Sequence, residues 1–234
     1  MSRTASAAIT VLSAGAVEPG LVKAIDAFRR ETGGEIKLAF ATAPTIVKRI
    51  GGGETADVII APPAALDELV KAGKAALVER LSVGRIGVGV AVRQSAPAPK
   101  ISTVNEFKQS LLNAESVVYN QASTGIYLEG LFQRLGMAEQ LKAKTTRYPD
   151  FAAVLDHVSK GKGNEIALGA MTVIVEAENK GLKFVGPLPA EIQNYTSYAA
   201  SVTADGDEKA AAREFVRYLT KPAAKAAFAA AGIE

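Results

Sequence analysis

Apolar positions in the first 75 residues follow two alternating periods, which predict strands and helices in turn. A strand begins at Ile9, a second covers 35–42 with every other residue apolar, and a third, 56–61, is a continuous apolar run typical of a buried parallel strand. A helical pattern follows each strand, and the first helix begins near Leu21. Three strand–helix units in succession predict an α/β fold with a doubly wound parallel sheet.

The rest of the chain repeats this order and predicts a second lobe of the same kind. Its strands are predicted at 116–119, 145–148 and 165–172, the last range including the turn that follows it. The final segment, 207–233, is predicted to be helical and to pack against the first lobe. The fold class is therefore α/β with two doubly wound lobes.

Two further strands, 84–92 and 195–202, are interpreted as crossings between the lobes. Glycines inside the first of them indicate a bend or a close backbone approach. The predicted division assigns 1–86 and 199–234 to a discontinuous lobe 1 and 87–198 to lobe 2. The ligand cleft is expected between the two lobes.

Composition excludes several kinds of partner and of functional site. The 234 residues carry a formal net charge of +3, and Lys and Arg are scattered among Asp and Glu, which argues against a nucleic-acid partner. The absence of Cys and the presence of a single His exclude disulfides, thiolate catalysis and Cys- or His-rich metal sites. No apolar run reaches the roughly 18 residues of a transmembrane helix. We predict no metal, no cofactor and no membrane embedding.

Small and polar residues fill the turns that follow four of the strands. A strand that ends in small residues and runs into a helix leaves backbone N–H groups free to hold an anion. No acid–base constellation is evident, so no catalytic residue is predicted. The candidate ligand-binding residues are Ser13, Ala14, Gly15, Ala16, Thr42, Ala43, Thr45, Ser123, Thr124, Gly125, Tyr127, Ala170, Met171 and Thr172.

A resemblance to a known family covers essentially the whole chain and is carried by 9–16, 40–45, 56–61, 124–127 with Leu135-Gly136, and 215–232. In their order these motifs resemble the type II periplasmic binding proteins, and within them the molybdate/tungstate-binding proteins of ABC transporters. The resemblance implies two α/β lobes joined by two crossing strands, hinge closure around a small anion held at helix N-termini, and delivery to an ABC transporter permease.

The site departs from the pattern that the resemblance implies. Molybdate binders use Ser hydroxyls in the first and second turns and a Tyr after the fourth strand, and this chain has Ala16, Ala43 and the segment 170–172 at those places. Each donor lost to a charged ligand removes about 1.5–3 kcal/mol. The added apolar surface favours an organic carboxylate over a molybdate-like oxyanion as the ligand.

Four residues, among them Tyr127 of the candidate set, have two interpretations each. Asp57 is predicted to form hydrogen bonds where its strand begins, rather than to act as a ligand or an acid. His157 is predicted to be a partly buried or surface helix residue rather than a catalytic base. Tyr127 and Tyr198 are interpreted as packing residues, with closure of the cleft as the alternative.

Two classes of function remain beside solute binding: a cytoplasmic ligand sensor and an isomerase-type enzyme on the same scaffold. The segment 1–8 contains an Ala-Ser-Ala suited to signal-peptidase cleavage but lacks the apolar region that should precede it. We therefore expect a cytoplasmic protein if Met1 is the native start, and a periplasmic one if the sequence is a trimmed mature form.

Overall fold

A computed structural model describes residues 8–204 and 209–234 of the chain. Two compact units make up the molecule: unit 1 is Met1–Arg85 with Ser197–Glu234, and unit 2 is Ile86–Thr196. The chain passes from one unit to the other within two long strands. In the described residues no helix is both long enough and apolar enough to cross a bilayer.

Strands and helices alternate through both units, as the hydrophobic pattern predicts. Three short 3-10 helices, at Gly15–Val17, Ala177–Lys180 and Ala190–Ile192, complete the assignment. In chain order the elements are β1 (Ile9–Ala14), α1 (Glu18–Thr32), β2 (Ile36–Ala41), α2 (Ala43–Gly51), β3 (Val58–Ala61), α3 (Pro63–Lys71), β4 (Leu77–Arg93), α4 (Val104–Asn113), β5 (Ser116–Asn120), α5 (Ser123–Arg134), α6 (Ala138–Lys142), β6 (Thr145–Tyr148), α7 (Phe151–Lys160), β7 (Glu165–Ala170), α8 (Met171–Glu176), β8 (Leu182–Pro187), β9 (Tyr195–Thr203), α9 (Lys209–Tyr218) and α10 (Pro222–Ala229).

The sheet of unit 1 has the strand order β2-β1-β3-β9. Strands β1, β2 and β3 run parallel, with Ala14 aligned to Ala41, while β9 runs antiparallel to β3, with Ala199 aligned to Ala61. The carboxyl ends of three strands and the beginning of β9 therefore lie at one edge of this sheet. Helices α1, α2 and α3 each begin just beyond that edge.

Helix α1 packs against the C-terminal helices of unit 1, as expected for the apolar C-terminal segment. The Phe28 ring lies edge-on to Phe215 and Tyr218, with centroids 5.2 Å from each. A Cβ added at Gly20 of α1 would lie 2.6 Å from the Phe228 ring of α10, so this glycine allows the two helices to approach closely. The C-terminal segment is thus part of the core of unit 1.

Unit 2 contains a second sheet, with the order β8-β4-β7-β5-β6. Strands β5, β6 and β7 are parallel, and β4 is antiparallel to both β7 and β8. One hydrophobic core contains Phe107, Leu128 and Phe132, and another contains Val154 and Ile174. As in unit 1, the carboxyl ends of the parallel strands share one edge, where α5, α7 and α8 begin.

The predicted α/β class is confirmed, and several details differ. Strand β4 begins at Leu77 instead of Gly84, because 77–83 alternates half-buried and exposed residues. The helical spacing of Leu66, Leu69 and Val70 predicts that all three face the core, but Val70 is 46% exposed, since α3 buries Leu66 and Leu69 on a narrower face. The five-residue helix α6 was not predicted at all.

The passage between units falls slightly earlier in the structure than in the sequence-based division. The structure changes unit after Arg85 and after Thr196, where the sequence-based lobes change after residues 86 and 198. Tyr198 therefore belongs to unit 1. The Ala-Ser-Ala of segment 1–8 and the start of the predicted C-terminal helix at Asp207 lie outside the described residues.

Candidate functional site

Seven of the predicted site residues come together at the carboxyl edge of the unit 1 sheet. Ser13 and Ala14 end β1, and Gly15 and Ala16 begin the 3-10 helix that leads into α1. The predicted residues that follow β2 lie beside them, because β1 and β2 are aligned neighbours. That second group is Thr42, Ala43 and Thr45.

Some hydroxyls of this edge already form hydrogen bonds within the protein. The Thr42 and Thr45 hydroxyls hydrogen-bond each other at 2.9 Å on the exposed start of α2. Ser13 is fully buried, and its Oγ donates to the Ala14 carbonyl oxygen at a long 3.3 Å. Ala16 and Ala43 contribute only methyl groups. The edge thus has fewer free hydroxyl donors than its polar sequence suggests.

The other seven predicted residues lie at the carboxyl edge of the unit 2 sheet. Ser123, Thr124, Gly125 and Tyr127 form the first turn and a half of α5, which follows β5. Ala170, Met171 and Thr172 join β7 to α8, and β7 is the parallel neighbour of β5. Each unit therefore gathers its own predicted residues at a single edge.

Gly125 sets the position of α5 on the end of β5. A Cβ at this residue would lie 3.0 Å from the Asn120 carbonyl carbon and closer still to its oxygen. The backbone of α5 can reach the strand end this closely only because residue 125 has no side chain. Gly125 is thus required for the packing of the α5 start against β5.

Met171 packs over two glycines of β4. A Cβ at Gly87 would lie 2.7 Å from Met171 Cε, and one at Gly89 would lie 3.0 Å from Met171 Cγ. The glycines of this strand were interpreted as a sign of a bend or a close backbone approach, and in the structure they make room for side chains instead. The thioether thus occupies the start of α8, where the resemblance implied a phenol.

Gln193 is a residue of this edge that the sequence did not reveal. Its Oε1 accepts from the Val88 N–H and its Nε2 donates to the Val88 carbonyl, both at 2.9 Å. The side-chain amide thereby imitates a strand partner for β4 next to Gly87 and Gly89. The only signal in the sequence was a Gln in a Pro-bounded loop, which predicts no particular partner.

Four of the six helices that begin at these two edges have open starts. The first turns of α2, α3, α5 and α8 contain no acidic side chain, and no side chain caps their N–H groups. The other two carry an acidic group at the start: α1 has Glu18 in its first turn, and Asp150 caps α7. Free N–H groups with the positive end of a helix dipole attract anions. The four open helix starts therefore favour a negatively charged ligand.

Tyr127 is held by contacts inside unit 2. Its hydroxyl donates to the Ile192 carbonyl oxygen at 2.6 Å, and the Arg134 guanidinium lies 5.4 Å from its ring centroid. These contacts are those of a packing residue. His157 is a partly buried helix residue, as expected, and its Nδ1 lies 2.9 Å from the Tyr148 hydroxyl.

Asp57 lies at the opposite, amino edge of the unit 1 sheet. Its Oδ2 accepts from both the N–H and the hydroxyl of Thr10, at 2.7 and 2.8 Å, and its own N–H donates to that hydroxyl at 3.0 Å. The predicted role in hydrogen bonding at the strand entry is confirmed. In the parts of the chain that the structure describes, no cluster of three or more His, Asp or Glu residues could hold a metal ion.

The parallel sheets with helix starts at one edge define the fold of the type II periplasmic binding proteins. A sequence profile described as "Bacterial extracellular solute-binding protein" matches residues 9–234, and the chain belongs to this family of solute-binding proteins.

Two curated relatives cover nearly the whole chain. An aconitate isomerase of a Pseudomonas species is 34% identical over 93% of this chain and 84% of its own length. The molybdate-binding protein ModA of Escherichia coli is 26% identical over 94% of this chain and 86% of its own length.

The fold is similar to that of solved binding proteins. The periplasmic molybdate-binding protein of Azotobacter vinelandii superimposes with a TM-score of 0.79 at 18% identity, covering 97% of this chain and 98% of that one. The sulfate-binding protein SubI of Mycobacterium tuberculosis superimposes with a TM-score of 0.77 at 17% identity, covering 97% and 86%. The chain is thus a solute-binding protein of the molybdate-binding type in fold.

Proposed function

We propose that this protein binds a small organic anion with carboxylate groups at the carboxyl edges of its sheets, and that it delivers this anion to an ABC transporter permease. The observation that supports the proposal most strongly is the combination of uncapped helix starts with apolar side chains. Ala43 begins α2 and Met171 begins α8, and neither helix start has a side-chain cap or an acidic residue.

The shape of the anion follows from this combination. A bare tetrahedral oxyanion presents oxygen on every side and requires a donor for each, whereas a carboxylate joined to a carbon skeleton presents both oxygen and apolar surface. The N–H groups of the helix starts suit the carboxylate oxygens. The methyl groups of Ala16 and Ala43 and the thioether of Met171 suit the carbon skeleton, since apolar burial contributes roughly 25 cal/mol per Å².

A thermal-shift and calorimetric panel tests this proposal. The ligands are molybdate, tungstate, sulfate, citrate, cis-aconitate and trans-aconitate, each added to the full chain. A carboxylate present at 100 times its dissociation constant should stabilise the protein by about 2.7 kcal/mol. Submicromolar binding of molybdate, or no binding of any carboxylate, would refute the proposal.

A second candidate is an isomerase acting on an unsaturated carboxylate. The 34% identity to an aconitate isomerase favours it, because aconitate is an unsaturated tricarboxylate. The test is incubation with cis- or trans-aconitate while the vinyl proton is followed by ¹H NMR. Appearance of the other isomer above the rate in heat-inactivated protein supports catalysis, and its absence together with tight binding favours the transport role.

A further inference from the structure

Tyr198 lies at the same edge of the unit 1 sheet as the first two turns of the candidate site. In the strand register Ser13 of β1 aligns with Ile60 of β3, and Ile60 aligns with Ala200 of β9. Residues two apart in a strand share a face, so Tyr198 is on the same face of the sheet as Ser13. Because β9 runs antiparallel to β3, Tyr198 is also nearer than Ala200 to the carboxyl edge.

The Tyr198 ring is buried, but its hydroxyl oxygen is not fully enclosed, and it has no hydrogen-bond partner in residues 8–204 and 209–234. The residue is 4% exposed, and its burial raises its pKa above the ordinary value for a phenol. Tyr218 of the same unit is equally buried, but its hydroxyl donates to Glu31 Oε1 at 2.6 Å. The Tyr198 hydroxyl, at the accessible end of a buried ring and without a partner in the described residues, is therefore available to donate to a bound ligand.

Tyr119 of unit 2 is as buried as Tyr198, but its surroundings are different. It is 3% exposed, and its ring packs edge-on against Phe132, with centroids 6.0 Å apart, inside a hydrophobic core. A Tyr in a core contributes mainly its ring. Tyr198 is instead placed at an edge where helix starts are open and where residues 16 and 43 have no hydroxyl.

We infer that the Tyr198 hydroxyl donates a hydrogen bond to a carboxylate oxygen of the bound ligand and so determines specificity from unit 1. This inference rests on the proposed function. A neutral phenol is a suitable donor to an anion because it contributes no charge that would repel the ligand. It supplies a hydroxyl to an edge whose first and second turns have alanine at residues 16 and 43.

The test compares Tyr198→Phe with the wild-type chain by calorimetry, using trans-aconitate and citrate as probes. Removal of one hydrogen bond to a charged group should raise the Kd at least tenfold. The melting temperature without ligand should stay the same or rise, because the substitution removes a hydroxyl that has no partner. A purely structural hydroxyl would give the opposite pattern, with a lower melting temperature and unchanged Kd.

Tyr218→Phe is the matched control in the same unit. It removes a hydroxyl that bonds to Glu31, so it should lower the melting temperature and leave the Kd unchanged. If wild-type protein binds a probe and Tyr198→Phe binds it equally well, this inference is overturned while the proposed function stands. If wild-type protein binds neither probe nor any other carboxylate, both are overturned.

A second measurement does not depend on the folding of the variant. The chain contains six Tyr residues, so protein labelled with 3-fluorotyrosine should give six ¹⁹F resonances. Single Phe variants of the other five Tyr assign the Tyr198 resonance by elimination. Addition of the bound carboxylate should displace that resonance, and an unchanged Tyr198 signal at saturation would overturn the inference.

Discussion

The close contact between helix α5 and the end of β5 leads to a sharp prediction about Gly125. In Gly125→Ala the new Cβ would lie 3.0 Å from the Asn120 carbonyl carbon, 3.2 Å from Tyr119 Cδ2, and closer still to the Asn120 oxygen. Two of these atoms belong to the backbone of β5, so a side-chain rotation cannot relieve the clash. Overpacking of this kind typically costs about 1–3 kcal/mol. We expect the free energy of unfolding to fall by about 1–3 kcal/mol. Carboxylate affinity should fall as well, because α5 is displaced.

Gly130→Ala on the same helix is the matched control. Its Cβ would meet only the flexible end of Arg134, at 3.3 Å from Nη1. Replacing an interior helix glycine by alanine stabilises a helix by up to about 1 kcal/mol. Urea denaturation followed by circular dichroism measures both variants. If the two substitutions change the free energy of unfolding by the same amount and in the same direction, the argument from the Asn120 contact is wrong.

Three further predictions concern other parts of unit 1. The double substitution Ala16→Ser with Ala43→Ser should raise molybdate affinity at least tenfold in calorimetry, because each hydroxyl adds a donor to a charged ligand; unchanged affinity would contradict the assigned role of the two alanines. Asp57→Ala should lower the free energy of unfolding in urea by about 1–3 kcal/mol and leave carboxylate affinity unchanged, since this residue lies at the amino edge; a large loss of affinity would place it in the site. Burial and the bond to Glu31 raise the pKa of Tyr218 to about 12. The stability that this phenol contributes is complete below pH 10 and is lost as the pH rises to about 12, because the unfolded chain ionises first. Tyr218→Phe should therefore lose less stability than wild type between pH 9 and pH 11.5, and equal losses would refute the linkage.

The sequence by itself determined the order of strands and helices and the turns that form the candidate site. Periodicity is a local property, so 9–14 and 56–61 could be recognised as strands without knowledge of their partners. Parallel strands that alternate with helices must end at the same edge of a sheet, and this rule brings Ala16 and Ala43 together without any coordinates.

Tertiary structure decided which distant residues touch. Asp57 binds Thr10 across 47 positions, Gln193 pairs with the backbone of Val88 across 105, and Met171 lies over Gly87. The antiparallel register of β9 on β3 brings Tyr198 to the edge of unit 1, although the sequence-based division placed it in the second lobe. Register between strands far apart in the chain depends on how whole side-chain layers pack, and a change of one residue reverses every face. The spacing of residues along the chain does not contain that information, so only the folded sheet reveals which phenol lies at the carboxyl edge of unit 1.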